Sequence, residues 1–232
     1  AVSGDTVILR QGTYSEDVTI DKPRIRLIPD FGVEAIIDGN ITVTAAVGGA
    51  LISGILMTEG KNIVIEDGIA LPAGSGDQVF ALAGGSNSYN VTLGDVTANV
   101  NHLPEVSGVY IFALGENSTI THTGIIAVEN AAVSAPARGA SIVMGNGGEA
   151  TIDDVHVQAG AVAIGVLFIT NDDGQLAMTG NVVAHAREDG SSASGIGVRG
   201  QTGVSAALRD VEVEGGNFAV GIDFNVASEG SL

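Results

Sequence analysis

From Gly108 onward the chain alternates apolar and polar residues with a period of two, and the alternation restarts five times behind a glycine. The runs are Gly-Val-Tyr-Ile-Phe from Gly108, Gly-Ala-Ser-Ile-Val from Gly139, Gly-Val-Leu-Phe-Ile from Gly165, Gly-Ile-Gly-Val-Arg from Gly195 and Gly-Ile-Asp-Phe-Asn from Gly221. The first and third residues after each Gly are always apolar: Val109 and Ile111, Ala140 and Ile142, Val166 and Phe168, Ile196 and Val198, Ile222 and Phe224. Period two predicts strands with one buried face. Recurrence every 26 to 31 residues predicts stacked repeats.

A second marker keeps phase with the first, at Asp95, Gly124, Asp154, Asn181 and Asp210. Val96, Ile125, Val155, Val182 and Val211 follow it, and Ala98, Ala127, Val157, Ala184 and Val213 come two further on, which predicts another inward face. Before the marker lies a third β-like stretch: Val91-Thr92-Leu93, Thr119-Ile120-Thr121, Ala150-Thr151-Ile152, Leu176-Ala177-Met178 and Ala206-Ala207-Leu208. Asp, Asn and Gly at the marker suit a tight turn. Each repeat therefore reads strand, loop, strand, short turn, strand, loop. The predicted fold is all-β: a single-stranded parallel β-helix with three short strands per coil. A β-sandwich is the alternative, and it rarely repeats core positions in register.

The opening, Gly4-Asp5-Thr6-Val7-Ile8-Leu9-Arg10-Gln11-Gly12-Thr13-Tyr14, followed by Asp17-Val18-Thr19-Ile20, resembles the first coil of the right-handed, pectate-lyase-like parallel β-helix superfamily. The likeness covers roughly the first 40 residues. It implies a right-handed helix. It also implies a range of activities, since the superfamily includes polysaccharide lyases, hydrolases and epimerases, phage tailspikes and surface adhesins. Fold does not choose among them.

The pattern predicts one domain over 1–232, with N-terminal coils at 1–58, an irregular insertion at 59–88 and regular coils at 89–232. The insertion follows from taking Gly54 as the marker equivalent to Asp95. The abrupt start inside a coil, with no capping helix, suggests a fragment or processed form. A net charge of −18 with only 9 Lys and Arg argues against nucleic acid as a partner. No run of 18 apolar residues suggests membrane insertion. The absence of Cys fits bacterial secreted, cell-surface or virion proteins.

Candidate chemistry lies on outward positions. On the glycine-led sheet, Tyr110, Phe112, Val143, Leu167 and Ile169 would form an apolar patch, which soluble monomers rarely leave bare. They are the interface candidates. On the sheet after the marker, the expected outward columns are Thr97, Ile126, His156, Val183, Glu212 and Asn99, Val128, Gln158, His185, Glu214. His156, His185 and Glu212 are the candidates for acid–base work or metal binding. Asp172 and Asp173, in Asn171-Asp172-Asp173-Gly174, are the candidates for Ca2+, although such a run more often makes a turn. His122 falls in an inward column, and a local register slip is the simpler expectation.

The resemblance implies that an enzyme of this superfamily would show clustered charges and aromatic platforms in one groove. This chain has no Trp, and Arg138, Arg187, Arg199 and Arg209 are scattered over different coils. The first expectation is a non-catalytic extracellular structural or adhesive module, such as a filament subunit, an adhesin or a phage fibre or tailspike segment. It would self-associate, or bind another surface or virion protein, through the apolar face or the coil ends. The alternative is a β-helix that binds or processes polysaccharide, with Ca2+ as a possible aid.

Overall fold

The computed structural model describes residues 1–44, 48–70, 78–100, 105–132, 135–189, 191–226 and 230–231. The expectation of an all-β solenoid is met. The first coil holds β1 (Thr6–Leu9), β2 (Gly12–Tyr14) and β3 (Val18–Ile20), and the second β4 (Arg26–Pro29), β5 (Ala35–Ile37) and β6 (Ile41–Val43). The third holds β7 (Ala50–Ser53), β8 (Leu56–Met57), β9 (Asn62–Ile65) and β10 (Ile69–Ala70). Then come β11 (Gln78–Gly85), β12 (Asn90–Leu93), β13 (Val96–Val100), β14 (Val106–Ala113), β15 (Thr119–His122) and β16 (Ile125–Asn130). They are followed by β17 (Pro136–Met144), β18 (Glu149–Ile152), β19 (Asp154–Ala159), β20 (Val162–Thr170), β21 (Gln175–Met178) and β22 (Val182–Ala186). The last are β23 (Ser192–Gly200), β24 (Val204–Ala207), β25 (Val211–Glu214), β26 (Phe218–Val226) and β27 (Gly230–Ser231).

Every strand pairs in parallel with its counterpart one coil away, which makes four sheets. Sheet A runs β1-β4-β7-β11-β14-β17-β20-β23-β26, and sheet C runs from β3 to β27 through β6, β9, β12, β15, β18, β21 and β24. Sheet B is only β2-β5-β8, between A and C. Sheet D is β10-β13-β16-β19-β22-β25, between C and the next strand of A. The third side of the prism therefore changes identity. The first coils close as A, B, C and the later ones as A, C, D, while the third coil carries all four.

This corrects the insertion at 59–88. That segment supplies β9, β10 and β11, all paired within the sheets; residues 71–77 of it lie outside the described residues. Gly54 is not the marker's equivalent. It ends the β7 segment of sheet A with φ +67°, and the pair Ile69↔Val96 makes Gly68 the residue opposite Asp95, a normal 27 residues away. The extra length was a fourth side.

The core is one continuous stack of Ile, Val, Leu and Ala, with Phe80 and Phe168 its largest fully buried side chains. Burial of this repeated apolar area is the main stabilising term. The glycine runs behave as expected from Val109 to Val198, all of whose inward pairs are buried. Gly108, Gly139, Gly165, Gly195 and Gly221 align in one column where sheet A turns inward against sheet D.

The C–D turn is one residue longer in alternate coils: Ile65 to Ile69, His122 to Ile126 and Met178 to Val182 against Leu93 to Val96 and Ile152 to Val155. Val96 pairs with Ile126, not Ile125, because Gly124, at φ +96°, is inserted before β16. Asp95 Oδ1 accepts the Ile125 N–H at 2.8 Å and Asp153 Oδ2 accepts the Gly124 N–H at 3.2 Å, which fixes the wider turn. The inward pair is thus Ile126 and Val128, both buried, and the expected pair Ile125 and Ala127 is turned the other way.

Candidate functional site

Sheet A keeps the outward columns the alternation predicted. Tyr110 pairs with Ser141, Leu167, Gly197 and Asp223 in turn, and Phe112 with Val143, Ile169, Arg199 and Asn225. Tyr110, Phe112, Val143, Leu167 and Ile169 are therefore contiguous, and all are half-buried. Strand β20 is apolar on both faces. Val162, Ile164, Leu167 and Ile169 point out, while Ala163, Val166 and Phe168 point in. Its one polar residue, Thr170, is buried and donates its hydroxyl to the Gly145 carbonyl at 3.1 Å. A strand apolar on both faces is the mark of a sheet covered on both faces.

Sheet D presents the opposite character. The inserted Gly124 changes its outward columns to Thr97, Ala127, His156, Val183, Glu212 and Asn99, Glu129, Gln158, His185, Glu214. Ile126 and Val128, expected beside the histidines, are in the core, and Ala127 and Glu129 take their places. The second column becomes a continuous polar ladder. Asn99 Nδ2 donates to Glu129 Oε2 at 3.1 Å, and Arg187 reaches back two coils to Glu129 Oε1 at 2.7 Å. Small Thr97 and Ala127 beside these longer side chains leave a shallow trough of about 290 Å³.

His156 and His185 are diagonal neighbours here, as expected, since His156 pairs with Val183 and His185 with Glu214. His185 Nε2 lies 3.4 Å from Glu212 Oε1 without the geometry of a hydrogen bond, and Glu212 is largely exposed. The arrangement brings His185 and Glu212 together. The Arg187–Glu129 pair is solvent-screened on both sides, with side chains 43% and 34% exposed. Arg187→Ala is expected to cost no more than about 1 kcal/mol in urea unfolding.

Asp172 and Asp173 sit at the corner between sheets A and C. Asp173, at φ 54°, stacks in a left-handed column with Asn117, Gly147 and Gly203. Asp172 Oδ1 accepts the Thr202 N–H at 3.0 Å and also the Thr202 hydroxyl, so it caps the next coil. Those two bonds hold its pKa below the ordinary carboxylate value. Among the described residues no three His, Asp or Glu side chains converge to hold a metal ion.

His122 is inward, opposite Leu93 and Ile152, and only 1% exposed. Ile120, two residues earlier, is inward as well, so no register slip relieves the histidine. Its Nδ1 accepts the Asp153 N–H at 3.2 Å, and Nε2 is buried without a partner.

Sequence reasoning missed a ladder at the entry to sheet C. Asp17 Oδ1 accepts the Asn40 N–H at 2.8 Å, Asn40 Oδ1 accepts the Asn62 N–H at 2.9 Å, and Asn90 Oδ1 accepts the Thr119 hydroxyl at 2.8 Å. The signal was an amide or carboxylate recurring just before a strand. Asn40 and Asn90, which stand in Asn-X-Thr sequons, are thereby engaged within the fold. No helix among the described residues is long and apolar enough to cross a membrane. No family model, curated protein or solved structure matches the chain.

Proposed function

We propose that this chain is a non-catalytic extracellular β-helix module, of adhesive or fibre-forming type, that associates with a second copy of itself through the outer face of sheet A. The carrying observation is the double-sided apolar strand β20, whose outward Leu167 and Ile169 continue into Val143, Phe112 and Tyr110. Two copies of a chain with net charge −18 repel each other. An apolar face with few charged side chains is where they can meet at least electrostatic cost. The opening Gly4-Asp5-Thr6 to Tyr14 segment supports placement in the pectate-lyase-like superfamily, which includes such modules.

The test is solution mass by light scattering over a range of concentrations. The parent is expected to self-associate. Leu167→Asp is expected to be monomeric with an unchanged melting temperature, since the residue points away from the core. A monomeric parent, or a Leu167→Asp protein that still assembles, would remove this reading.

A second reading, polysaccharide binding, is favoured by the sheet D trough. Its amide, carboxylate and imidazole groups recur at each coil, about every 4.8 Å. A panel of neutral and acidic polysaccharides, with and without Ca2+, tests it through loss of binding in Glu129→Ala.

A further inference from the structure

Where sheet B stops, it leaves a strand edge. β8 pairs with β5 through Ile36↔Leu56 and Ile37↔Met57, and no described strand pairs with its other side. The Thr58 N–H donates to the Ile37 carbonyl at 3.1 Å, so Leu56 and Thr58 address β5. By the alternation of a strand's backbone groups, the Met57 N–H and C=O and the Ile55 C=O point the other way. The next coil offers no strand to meet them, because it passes from β11 to β12 through 86–89 and cuts the corner. Tyr89 closes part of the gap. Its buried hydroxyl donates to the Ile55 carbonyl, and Asn87 Nδ2 supports that hydroxyl at 3.3 Å. Among the described residues nothing equivalent reaches Met57.

Above Met57 the corner leaves a notch of about 750 Å³. Its floor is apolar, formed by Ile36, Leu56 and Met57, all half-buried. Met57 belongs to the inward column of Ile37 and packs on the core, but the missing strand leaves it partly open. The rim is polar, with Asn87, Ser88 and Asn117. Its charges are Glu59, Glu116 and Lys61, and Lys61 lies 3.8 Å from Asp38. No ion pair is seen for Glu59 or Glu116 among the described residues, so the rim is acidic, as is the whole chain.

We propose that this notch receives an extended basic peptide, which adds to sheet B as a fourth parallel strand. Its backbone pairs with Met57, one apolar side chain fills the open position over the Met57 side chain, and flanking Lys or Arg meet Glu59 and Glu116. Edge addition of this kind draws affinity from main-chain hydrogen bonds and specificity from the alternating side chains. The proposal is independent of self-association through sheet A, which lies on a different side of the prism.

The test uses fluorescein-labelled Lys-Val-Lys-Val-Lys in anisotropy titrations at low salt. Lys-Pro-Lys-Pro-Lys has the same charge but lacks two backbone donors, which separates strand addition from general attraction to an acidic protein. We expect saturable binding of the first peptide and at least tenfold weaker binding of the second. Charge reversal in Glu59→Lys combined with Glu116→Lys is expected to weaken the first peptide at least tenfold, with the melting temperature unchanged. Met57→Pro removes the N–H aimed into the notch and leaves the β5 ladder intact, so it should abolish binding. If that variant does not fold, the proline peptide carries the same test. Equal binding of the two peptides, or no effect of charge reversal, would overturn the proposal.

Discussion

Gly195→Ala is expected to lower stability by about 1–3 kcal/mol, the usual cost of overpacking a filled interior. Gly197→Ala, two residues along the same strand, is expected to leave stability unchanged or raise it by up to about 1 kcal/mol. A Cβ on Gly195 would lie 2.3 Å from Val211 Cγ1, 2.6 Å from the Gly221 carbonyl oxygen and 3.0 Å from Val213 Cγ2. The carbonyl is the obstacle that matters. It belongs to the next coil, held by the Ile196↔Ile222 and Ser194↔Val220 pairs, so relief requires the backbone of β26 to move. A Cβ on Gly197 would meet only Leu167 Cδ1, at 3.2 Å, the far end of a flexible side chain. There the loss of unfolded-state freedom is the larger effect. Differential scanning calorimetry of both variants decides it. For a chain of this size each kcal/mol moves the melting temperature by about 2–4 °C. Similar melting of the two would mean that sheets A and D are not in close contact at the glycine column.

The same column shows what a sequence can and cannot say. The spacing of Gly108, Gly139, Gly165, Gly195 and Gly221 revealed the repeat, and the residues behind each gave the buried face. Why Gly139, Gly165 and Gly195 must be Gly was not legible, because the reason is a distance to the carbonyl of the next coil and to Val155, Val182 or Val211 on another sheet. Local alternation also hides single insertions. Ile125-Ile126-Ala127-Val128 reads equally well in either register, and only the bonds from Asp95 and Asp153 to the inserted turn decide that Ile126 and Val128 go inward. That shift changed the candidate site. It replaced an expected Val128 by Glu129 and so connected Asn99, Arg187 and Gln158 into one polar face. Sheet B and its replacement by sheet D were hidden for a related reason. Ile69-Ala70 is too short to show a period, and its role appears only through its pairing with β13. The apolar patch on sheet A was legible because its strands alternate without insertion from β14 to β26.

Stability is expected to fall on mild acidification, and His122 is expected to account for a separable part of the fall. Burial lowers the pKa of this histidine below 6.5, and the nearby Asp153, Asp95 and Asp154 carboxylates oppose that shift without cancelling it. The Asp153 backbone N–H can only donate, so Nδ1 carries the lone pair and the proton sits on Nε2, which has no acceptor. A second proton would have to enter on Nδ1 and break that bond, placing a charge between Leu93 and Ile152 in the stack. Above pH 6.5 the histidine is neutral in both folded and unfolded chains, so it adds no pH dependence. Below 6.5 the unfolded chain takes up a proton that the folded chain resists. The loss then approaches about 1.4 kcal/mol per pH unit until the lowered folded pKa is reached. Leu fits the column on both sides, and His122→Leu should remove this slope while the shared titration of the carboxylates remains. Urea midpoints at pH 8, 6 and 5 make the comparison. The parent should lose ground to His122→Leu at each step below pH 6.5. Parallel curves for the two proteins would show that the imidazole reaches water, against its place in the core.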